Sequence, residues 1–186
     1  MREEQVNLSE IKSLEEFDAL LKVTLSKQTY TDLDRQILLE EWGNCAVSFY
    51  RFLSYCKIIE APSPGVAGSG GVLPLELWPH IRTIVDTLLT KRLIVILKSR
   101  QIGASWLCAA YDLWYALFHK GAVVLLYSRG ELEAGEKLAK CKKILDNLPP
   151  FLRQTPKPES TMELGFPEMS SSIKALPSTE MAGISF

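Results

Sequence analysis

One short stretch of the chain, residues 98–105, has the residue types and the spacing of a loop that binds phosphate. Its sequence is KSRQIGAS. Gly103 allows a tight turn, because glycine adopts a positive φ at little cost. Lys98 and Arg100 carry charge that suits a phosphate group, and the hydroxyl of Ser105 is an oxygen that Mg²⁺ accepts. The stretch therefore predicts a phosphate site.

The segments on either side of this stretch predict the strand and the helix that position it. Residues 93–97, LIVIL, are apolar on both faces and rich in β-branched side chains, which is typical of a buried parallel strand. Residues 106–118 are rich in alanine, leucine and aromatic residues and contain no helix breaker, which indicates a largely buried helix. At such a strand-to-helix turn, backbone N–H groups and the helix dipole attract an anion.

The match to the standard phosphate-loop pattern, G-x-x-x-x-G-K-[ST], is incomplete. Gly103 and Ser105 occupy its sixth and eighth positions, but Lys98 stands in place of the first glycine and Ala104 in place of the lysine. Lys98 and Arg100 can supply the charge from the other side of the loop. A plain strand-to-helix turn with two solvated cations explains the same residues, so the loop by itself leaves both interpretations open.

Other segments of the second half follow in an order that has a known counterpart. They are LELWPH at 75–80, AYDLW at 110–114, VLLYSR at 124–129, STMEL at 160–164 and IKALPS at 173–178. Together with KSRQIGASW at 98–106, they resemble the ATPase region of phage terminase large subunits, which drive DNA into a prohead. In one branch of that family the lysine lies at the start of the loop, a deviant Walker A motif. The resemblance covers residues 73–186.

The resemblance implies an ATP and Mg²⁺ site on the loop. It assigns Lys98 and Arg100 as catalytic cations, Ser105 as the Mg²⁺ ligand through its hydroxyl, and Arg129 to a phosphate or intersubunit contact. In the family a glutamine after the Trp-Pro-His stretch commonly contacts adenine, and Ile81 takes that position here. The implied nucleotide contacts are Lys98, Ser99, Arg100, Gln101, Ile102, Gly103, Ala104 and Ser105.

The resemblance also implies a larger motor than these residues contain. In the family a strand ending in Asp-Glu, the Walker B strand, and a nuclease domain follow further along, and neither is present in the 186 residues. We therefore expect an N-terminal fragment of the ATPase domain, from a bacteriophage or prophage, with negligible turnover of its own. In the intact motor the implied partners are double-stranded viral DNA, the small terminase subunit, the portal protein and further copies of the chain.

Two other functions fit the same residues. Helicase-like P-loop ATPases share the order strand, loop and helix, and the downstream motifs would distinguish them. A non-catalytic interaction module is the alternative from a different class. Residues 1–40 hold five Lys or Arg against nine Asp or Glu, so acidic helices would bind a partner and the loop would be vestigial.

The composition is that of a folded cytosolic protein. Hydrophobic residues make up 47% and charged residues 23%, and the net charge of −1 gives no general argument for nucleic acid. There is no run of 18 apolar residues, and the polar start of the chain does not resemble a signal peptide. We expect the protein in the cytoplasm of a bacterial host. Four cysteines without C-x-x-C spacing indicate neither a zinc site nor a disulfide framework.

The predicted fold class is α/β, an incomplete P-loop NTPase with a parallel sheet and flanking helices, preceded by a helical N-terminal arm. The arm is 1–60, a flexible linker rich in glycine and proline is 61–72, and the truncated ATPase domain is 73–186. The predicted strands are 93–97, 122–127, 160–164 and 172–176, the first two parallel to each other. The further predicted helices are 8–27 with Ser9 as its N-cap, 31–59, 75–90, and 131–147 with Leu132, Leu138, Cys141, Ile144 and Leu145 facing the core.

Overall fold

Helices and short strands alternate along the chain in the computed structural model, which describes residues 13–60 and 70–178. The elements are α1 (Leu14–Leu25), α2 (Asp32–Val47), α3 (Phe49–Leu53), β1 (Lys57–Glu60), β2 (Gly71–Pro74), α4 (Pro79–Thr90), α5 (Ala104–Phe118), β3 (Val123–Ser128), α6 (Glu131–Asn147), β4 (Glu163–Phe166) and β5 (Ser171–Pro177). The protein is thus of mixed α/β class. It divides into two compact units, Met1–Ser48 and Phe49–Phe186.

Two helices, α1 and α2, make up most of the described part of the first unit, and a side chain caps the start of each. Ser13 accepts a hydrogen bond from the N–H of Glu16 at 3.2 Å, so α1 begins one residue after it. The predicted cap, Ser9, lies outside the described residues. Thr31 and Asp34 form a reciprocal capping box at the start of α2, where that helix was predicted to begin.

Asp34 is also a buried charge with several hydrogen-bond donors around it. The ammonium of Lys27 lies 2.7 Å from its carboxylate, and the hydroxyl of Thr24 donates to the same oxygen at 3.1 Å. The backbone N–H of Thr31 donates to the other oxygen at 2.9 Å. The Lys27 contact, helped by these donors, holds the pKa of Asp34 well below its usual range despite the burial of the carboxyl.

The predicted helix over 31–59 is wrong beyond residue 47. Helix α2 ends at Val47, α3 is a separate short helix, and residues 57–60 form a strand. The ring of Phe49, at the start of α3, lies 5.2 Å from that of Tyr111 and 5.3 Å from that of Trp114 on α5. This aromatic packing explains why the second unit begins at Phe49. The compact units therefore divide at 48–49, whereas the sequence placed its boundary in the stretch 61–72.

The second unit contains two separate sheets. Strands β1 and β2 form an antiparallel hairpin, with Lys57 opposite Pro74 and Glu60 opposite Gly71. The other sheet has the order β3-β5-β4, with β3 parallel and β4 antiparallel to β5. Helices α5 and α6 pack against each other and against this sheet. The predicted strands 122–127 and 172–176 and the predicted helices 106–118 and 131–147 are confirmed, with small shifts of their ends. The predicted strand 160–164 overlaps β4 only at residues 163–164, because β4 continues through Gly165 and Phe166, which were predicted as a turn.

One face of α6 packs toward the core, and it holds four of the five residues predicted there. Leu132 is the exception, because it is 76% exposed. At about 100° per residue, Leu132 lies on the side of the helix opposite to the centre of the buried stripe. The four that are buried as predicted are Leu138, Cys141, Ile144 and Leu145.

The main departure from the prediction concerns residues 93–97, which form neither a strand nor a helix. Leu93, Val95 and Leu97 are 91%, 83% and 95% exposed. Within the described residues β3 pairs only with β5, so the predicted parallel pairing of 93–97 with 122–127 is wrong. A strand needs a neighbouring strand for its backbone hydrogen bonds, and apolar composition by itself does not provide that neighbour.

Helix α4 begins four residues later than predicted. Residues 71–74 pair as β2, including two that were assigned to the linker, and Pro79 fits the first position of the helix because its φ is already helical. The rest of the predicted linker, 61–69, lies outside the described residues. Over 13–60 and 70–178, no helix combines the length and the apolar character needed to cross a membrane.

Candidate functional site

The loop at residues 98–105 turns sharply into α5 at Gly103, as predicted. Gly103 has φ 79° and ψ −13°, in the left-handed region, and Gln101 before it has φ 61°. The carbonyl of Gly103 accepts hydrogen bonds from the N–H groups of Trp106 and Leu107 at 3.0 and 3.1 Å. The N–H groups of Ala104 and Ser105 come before these two and have no acceptor within the helix, so they are available to a ligand in front of it.

The start of α4 contacts this turn. The Nε2 atom of His80 lies 3.0 Å from the carbonyl oxygen of Ile102, a hydrogen bond in which the protonated nitrogen donates. A Cβ atom at position 103 would lie 3.5 Å from Cδ1 of Ile81, so the turn packs closely on that side chain. Ile81 stands where the related ATPases have a glutamine that contacts adenine. In this chain, that position therefore places an apolar side chain against the turn.

A pocket of about 550 Å³ opens on one side of the turn, and we call it the charged pocket. It lies between the loop, α5, the end of β3 and α6. It brings one of the predicted cations and the predicted hydroxyl to one surface. Its lining residues with charged or hydroxyl side chains are Lys98, Ser105, Asp112, Tyr127, Ser128, Glu133, Glu136, Lys137 and Lys140.

Three lysines line the charged pocket, and they are held differently. Lys98 is exposed, and its ammonium lies 3.4 Å from the carbonyl oxygen of the next residue, a long contact. Lys137 donates to the carbonyl of Tyr127 near the end of β3. The ammonium of Lys140 lies 5.9 Å from the ring centroid of Trp106, within the range of a cation–π contact. Lys98 is thus the least constrained of the three.

Asp112 lines the charged pocket, although the sequence analysis did not identify it as a site residue. It lies on α5 seven positions after Ser105, so the two residues share one face of the helix. Desolvation raises the pKa of Asp112 to about 7, while the nearby Lys137 ammonium acts in the opposite direction. Burial raises the pKa of the Cys108 thiol on the same face. The Asp112 carboxyl therefore changes its charge near neutral pH. The sequence signal that could have identified Asp112 as a site residue is its position as an aspartate inside an otherwise apolar helix.

A second pocket of about 420 Å³ opens on the other side of the same turn, and we call it the apolar pocket. The β1–β2 hairpin, the start of α4 and residues 101–103 surround it. Glu60, Glu76 and Gln101 add polar groups to its lining, and the ring of Trp78 is half exposed. Its apolar residues are Ile58, Leu73, Pro74, Leu75, Trp78, Ile81, Ile102 and Trp106.

The predicted site residues divide between these two pockets and solvent. Only part of the predicted set therefore converges on one surface, and of the two predicted catalytic cations the charged pocket includes Lys98 alone. The charged pocket is lined by Lys98, Ala104 and Ser105, and the apolar pocket by Gln101, Ile102 and Gly103. The remaining three, Ser99, Arg100 and Arg129, are exposed and line neither pocket.

A larger groove, of about 890 Å³, lies between α6 and residues 159–164 and contains none of the predicted site residues. Leu132, Leu138, Met162 and Leu164 give it an apolar lining, with charged residues beside them. The start of α6 and Lys142 line this groove, but the start of α5 and the three lysines of the charged pocket do not.

No protein-family model matches the chain. Among the described residues, no group of three or more His, Cys, Asp or Glu side chains is placed to hold a metal ion. The hydroxyl of Ser105 supplies one oxygen at the charged pocket. One protein oxygen is compatible with Mg²⁺ in a phosphate site, because this ion keeps several waters and binds largely through the phosphates of its substrate.

Proposed function

We propose that this chain is the nucleotide-binding part of a P-loop ATPase of the terminase type, which packages viral DNA, and that ATP binds on residues 98–105. The observation that carries the proposal is the turn at Gly103, where a helix begins between a charged pocket and an apolar pocket. A nucleotide has the same division, with charged phosphates at one end and a base at the other. The resemblance of the surrounding segments supports the choice of family.

In this proposal the phosphates occupy the charged pocket. The N–H groups at the start of α5 donate to them, and the ammonium of Lys98 neutralises part of their charge. An anion at a helix N-terminus gains about 0.3–1 kcal/mol, and a hydrogen bond to a charged group adds about 1.5–3 kcal/mol. Lys98 replaces the lysine that the standard loop pattern has at position 104. This chain has a buried alanine, Ala104, at that position.

Mg²⁺ fits the phosphate side through the Ser105 hydroxyl, with water and phosphate oxygens as its other ligands. When bound, the ion neutralises phosphate charge. Hydrolysis in the family also uses the two carboxylates of the Walker B strand. The proposal for residues 98–105 therefore concerns the binding of ATP.

The base occupies the apolar pocket in this proposal. Trp78 offers an exposed aromatic face, and Ile81 takes the place of the glutamine that would read the edge of adenine. Contacts of this kind hold any base by its apolar surface, so the chain should discriminate weakly between ATP and GTP. Glu60, Glu76, His80 and Gln101 are the polar residues that line this pocket.

The role in DNA packaging adds the partners of the intact motor to the proposal. These are double-stranded viral DNA, the small terminase subunit, the portal protein and further copies of the chain, in the cytoplasm of the bacterial host. The resemblance alone supports this part, because the net charge of −1 gives no electrostatic argument for DNA.

Equilibrium titration with a fluorescent ATP analogue tests the proposal. We expect Lys98→Ala to weaken binding about tenfold, equivalent to about 1.4 kcal/mol. Lys120→Ala is the matched control, because Lys120 is an exposed lysine just after the other end of α5. An equal loss in both variants would contradict the site, and absence of binding by the unmodified chain would favour the non-catalytic interaction module.

A further inference from the structure

The lysines of the charged pocket belong to two different parts of the fold. Lys98 lies in the loop before α5, whereas Lys137 and Lys140 lie on α6. Residues three positions apart share a face of a helix, which explains why both lysines of α6 reach the same pocket. The charged pocket therefore has a source of positive charge that does not belong to the loop at residues 98–105.

Lys140 lies beside the first turn of α5. Its ammonium is 5.9 Å from the ring centroid of Trp106, and Trp106 directly follows Ser105 at the start of that helix. The side chain of Lys140 is half-buried. A cation is attracted to the face of an indole ring, and an ammonium has three N–H donors, so those that point away from the ring remain available to an anion. The contact with Trp106 thus holds a usable donor next to the helix start.

The other lysine of α6 is already engaged by oxygen atoms. The ammonium of Lys137 donates to the carbonyl of Tyr127, and it lies near enough to the Asp112 carboxyl to oppose the rise in the pKa of that group. In the part of the chain that the structure describes, no hydrogen bond or ion pair holds the ammonium of Lys140, not even one to Glu136, which lies one turn earlier on α6. Lys140 is therefore the lysine of α6 that can turn to a ligand.

The charged pocket has no surplus of positive charge. Its three lysines face three carboxylates, those of Asp112, Glu133 and Glu136. Loss of one ammonium leaves the carboxylates in excess, and a negative pocket repels phosphate. Each lysine that reaches the phosphates therefore has a direct effect on their affinity.

We propose that Lys140 is a second phosphate-binding cation, so that the phosphates of the nucleotide bind between the loop and α6. This inference rests on the proposed function, since it adds a contact to the same ATP site. Lys98 binds the phosphates from the loop and Lys140 binds them from α6. Trp106 is a positioning residue that acts through the Lys140 side chain. Lys137 contributes less, because the Tyr127 carbonyl holds it.

Competition against the fluorescent ATP analogue, with pyrophosphate or ATP as the competitor, tests the role of Lys140. Lys140→Met keeps most of the stem and removes the charge, so both competitors should bind about tenfold more weakly. Lys140→Arg keeps the charge and the attraction to the ring, so it should recover most of the affinity. Lys143→Met is the matched control, because Lys143 is an exposed lysine of α6 that does not line the pocket, and it should leave the affinity unchanged.

A double-mutant cycle with Trp106 separates binding from folding. Trp106→Leu removes the ring and leaves the lysine, so pyrophosphate binding should weaken about threefold. In that background, Lys140→Met should cause a smaller loss than it causes in the unmodified chain, because the lysine is no longer held in place. A purely structural role would instead lower the urea midpoint of Lys140→Met without ligand and leave the affinity of the folded variant unchanged.

Three results would overturn the inference while leaving the proposed ATP site intact. In the first, Lys98→Ala weakens pyrophosphate binding and Lys140→Met does not. In the second, Lys137→Met loses more affinity than Lys140→Met, which would make Lys137 the cation of α6. In the third, Lys140→Arg binds no better than Lys140→Met. Failure of the proposed function has a different result, since the unmodified chain would then bind neither ATP nor pyrophosphate, and the inference would fail with it.

Discussion

The charged pocket and the apolar pocket share one turn but differ in what builds them. The start of α5, the end of β3 and one face of α6 surround the charged pocket, and three lysines and three carboxylates line it. A hairpin and the start of α4 surround the apolar pocket, so side chains such as Trp78 and Ile81 form its walls. The difference teaches that the two sides of one glycine turn can present different groups, with lysines and a helix start on one side and aromatic and aliphatic side chains on the other.

Gly103→Val should have the largest effect, because both pockets depend on the turn. Valine at positive φ is strained, by about 1–3 kcal/mol, and the residue would rotate the loop away from α5. We expect a loss of about 2 kcal/mol in the free energy of unfolding, measured in urea, and loss of detectable ATP binding. Gly43→Ala is the control, since Gly43 lies in a helix with open space around it and should lose no stability. Normal ATP affinity in Gly103→Val would show that the turn is not the site.

Moving the cation within the charged pocket should have the next largest effect. Ala104 lines the pocket at the position of the standard lysine, so in a Lys98→Ala background the change Ala104→Lys puts a cation back beside the phosphates. We expect this second change to recover at least half of the lost binding free energy, measured by calorimetry with ATP. Binding that depends on Arg100→Ala and not on Lys98→Ala would assign the charge to Arg100 and contradict the account.

The pH dependence of stability tests the charged pocket through Asp112, because the carboxyl of Asp112 lines this pocket and has a raised pKa. Burial raises its pKa in the folded chain to about 7, above the ordinary aspartate value of 3.8, so the folded state keeps a proton that the unfolded state releases. Stability should therefore fall as pH rises from about 4 to 7 and level off above. Asp112→Asn should remove this decline and be more stable at pH 8 by on the order of 2 kcal/mol, allowing for partial exposure. Urea unfolding at pH 5 and pH 8 measures this difference in stability. Identical pH profiles for the unmodified chain and for Asp112→Asn would contradict the raised pKa of Asp112.

Trp78→Ala should have the smallest effect and should act on one pocket only. Removing an exposed aromatic face should weaken ATP binding about threefold, less than 1 kcal/mol. Pyrophosphate has no base, so its binding should be unchanged. Competition against the fluorescent ATP analogue measures the affinities for ATP and for pyrophosphate. If pyrophosphate binding falls as much as ATP binding, the apolar pocket is not the base site.

The local pattern of apolar and polar residues was sufficient to predict the helices and the strand around the site. The apolar helix α5, the strand β3 and the amphipathic helix α6 follow from residue patterns within one segment, and their predictions were confirmed. The left-handed turn at Gly103 also follows from its residue type. These features depend on neighbours in sequence, which is why the sequence was informative about them.

Features that depend on distant neighbours were not predictable. Residues 93–97 have a strand composition, but no described strand pairs with them. The break after Val47 depends on the packing of Phe49 against α5, and the pKa of Asp112 depends on its burial in the folded unit. The distribution of the loop residues between two pockets likewise required the positions of α4, α6 and the hairpin.

Hydrogen exchange of the backbone amides with and without ATP tests the central claim most directly, because it reports where the ligand binds. The account predicts that saturating ATP and Mg²⁺ slow the exchange of Ala104 and Ser105, at the start of α5, by about tenfold or more, a stabilisation of about 1.4 kcal/mol. The amides at the other end of the helix should be unaffected. Slowed exchange confined to the groove between α6 and residues 159–164, or no change at residues 104–105 in the presence of bound ATP, would contradict the proposed site.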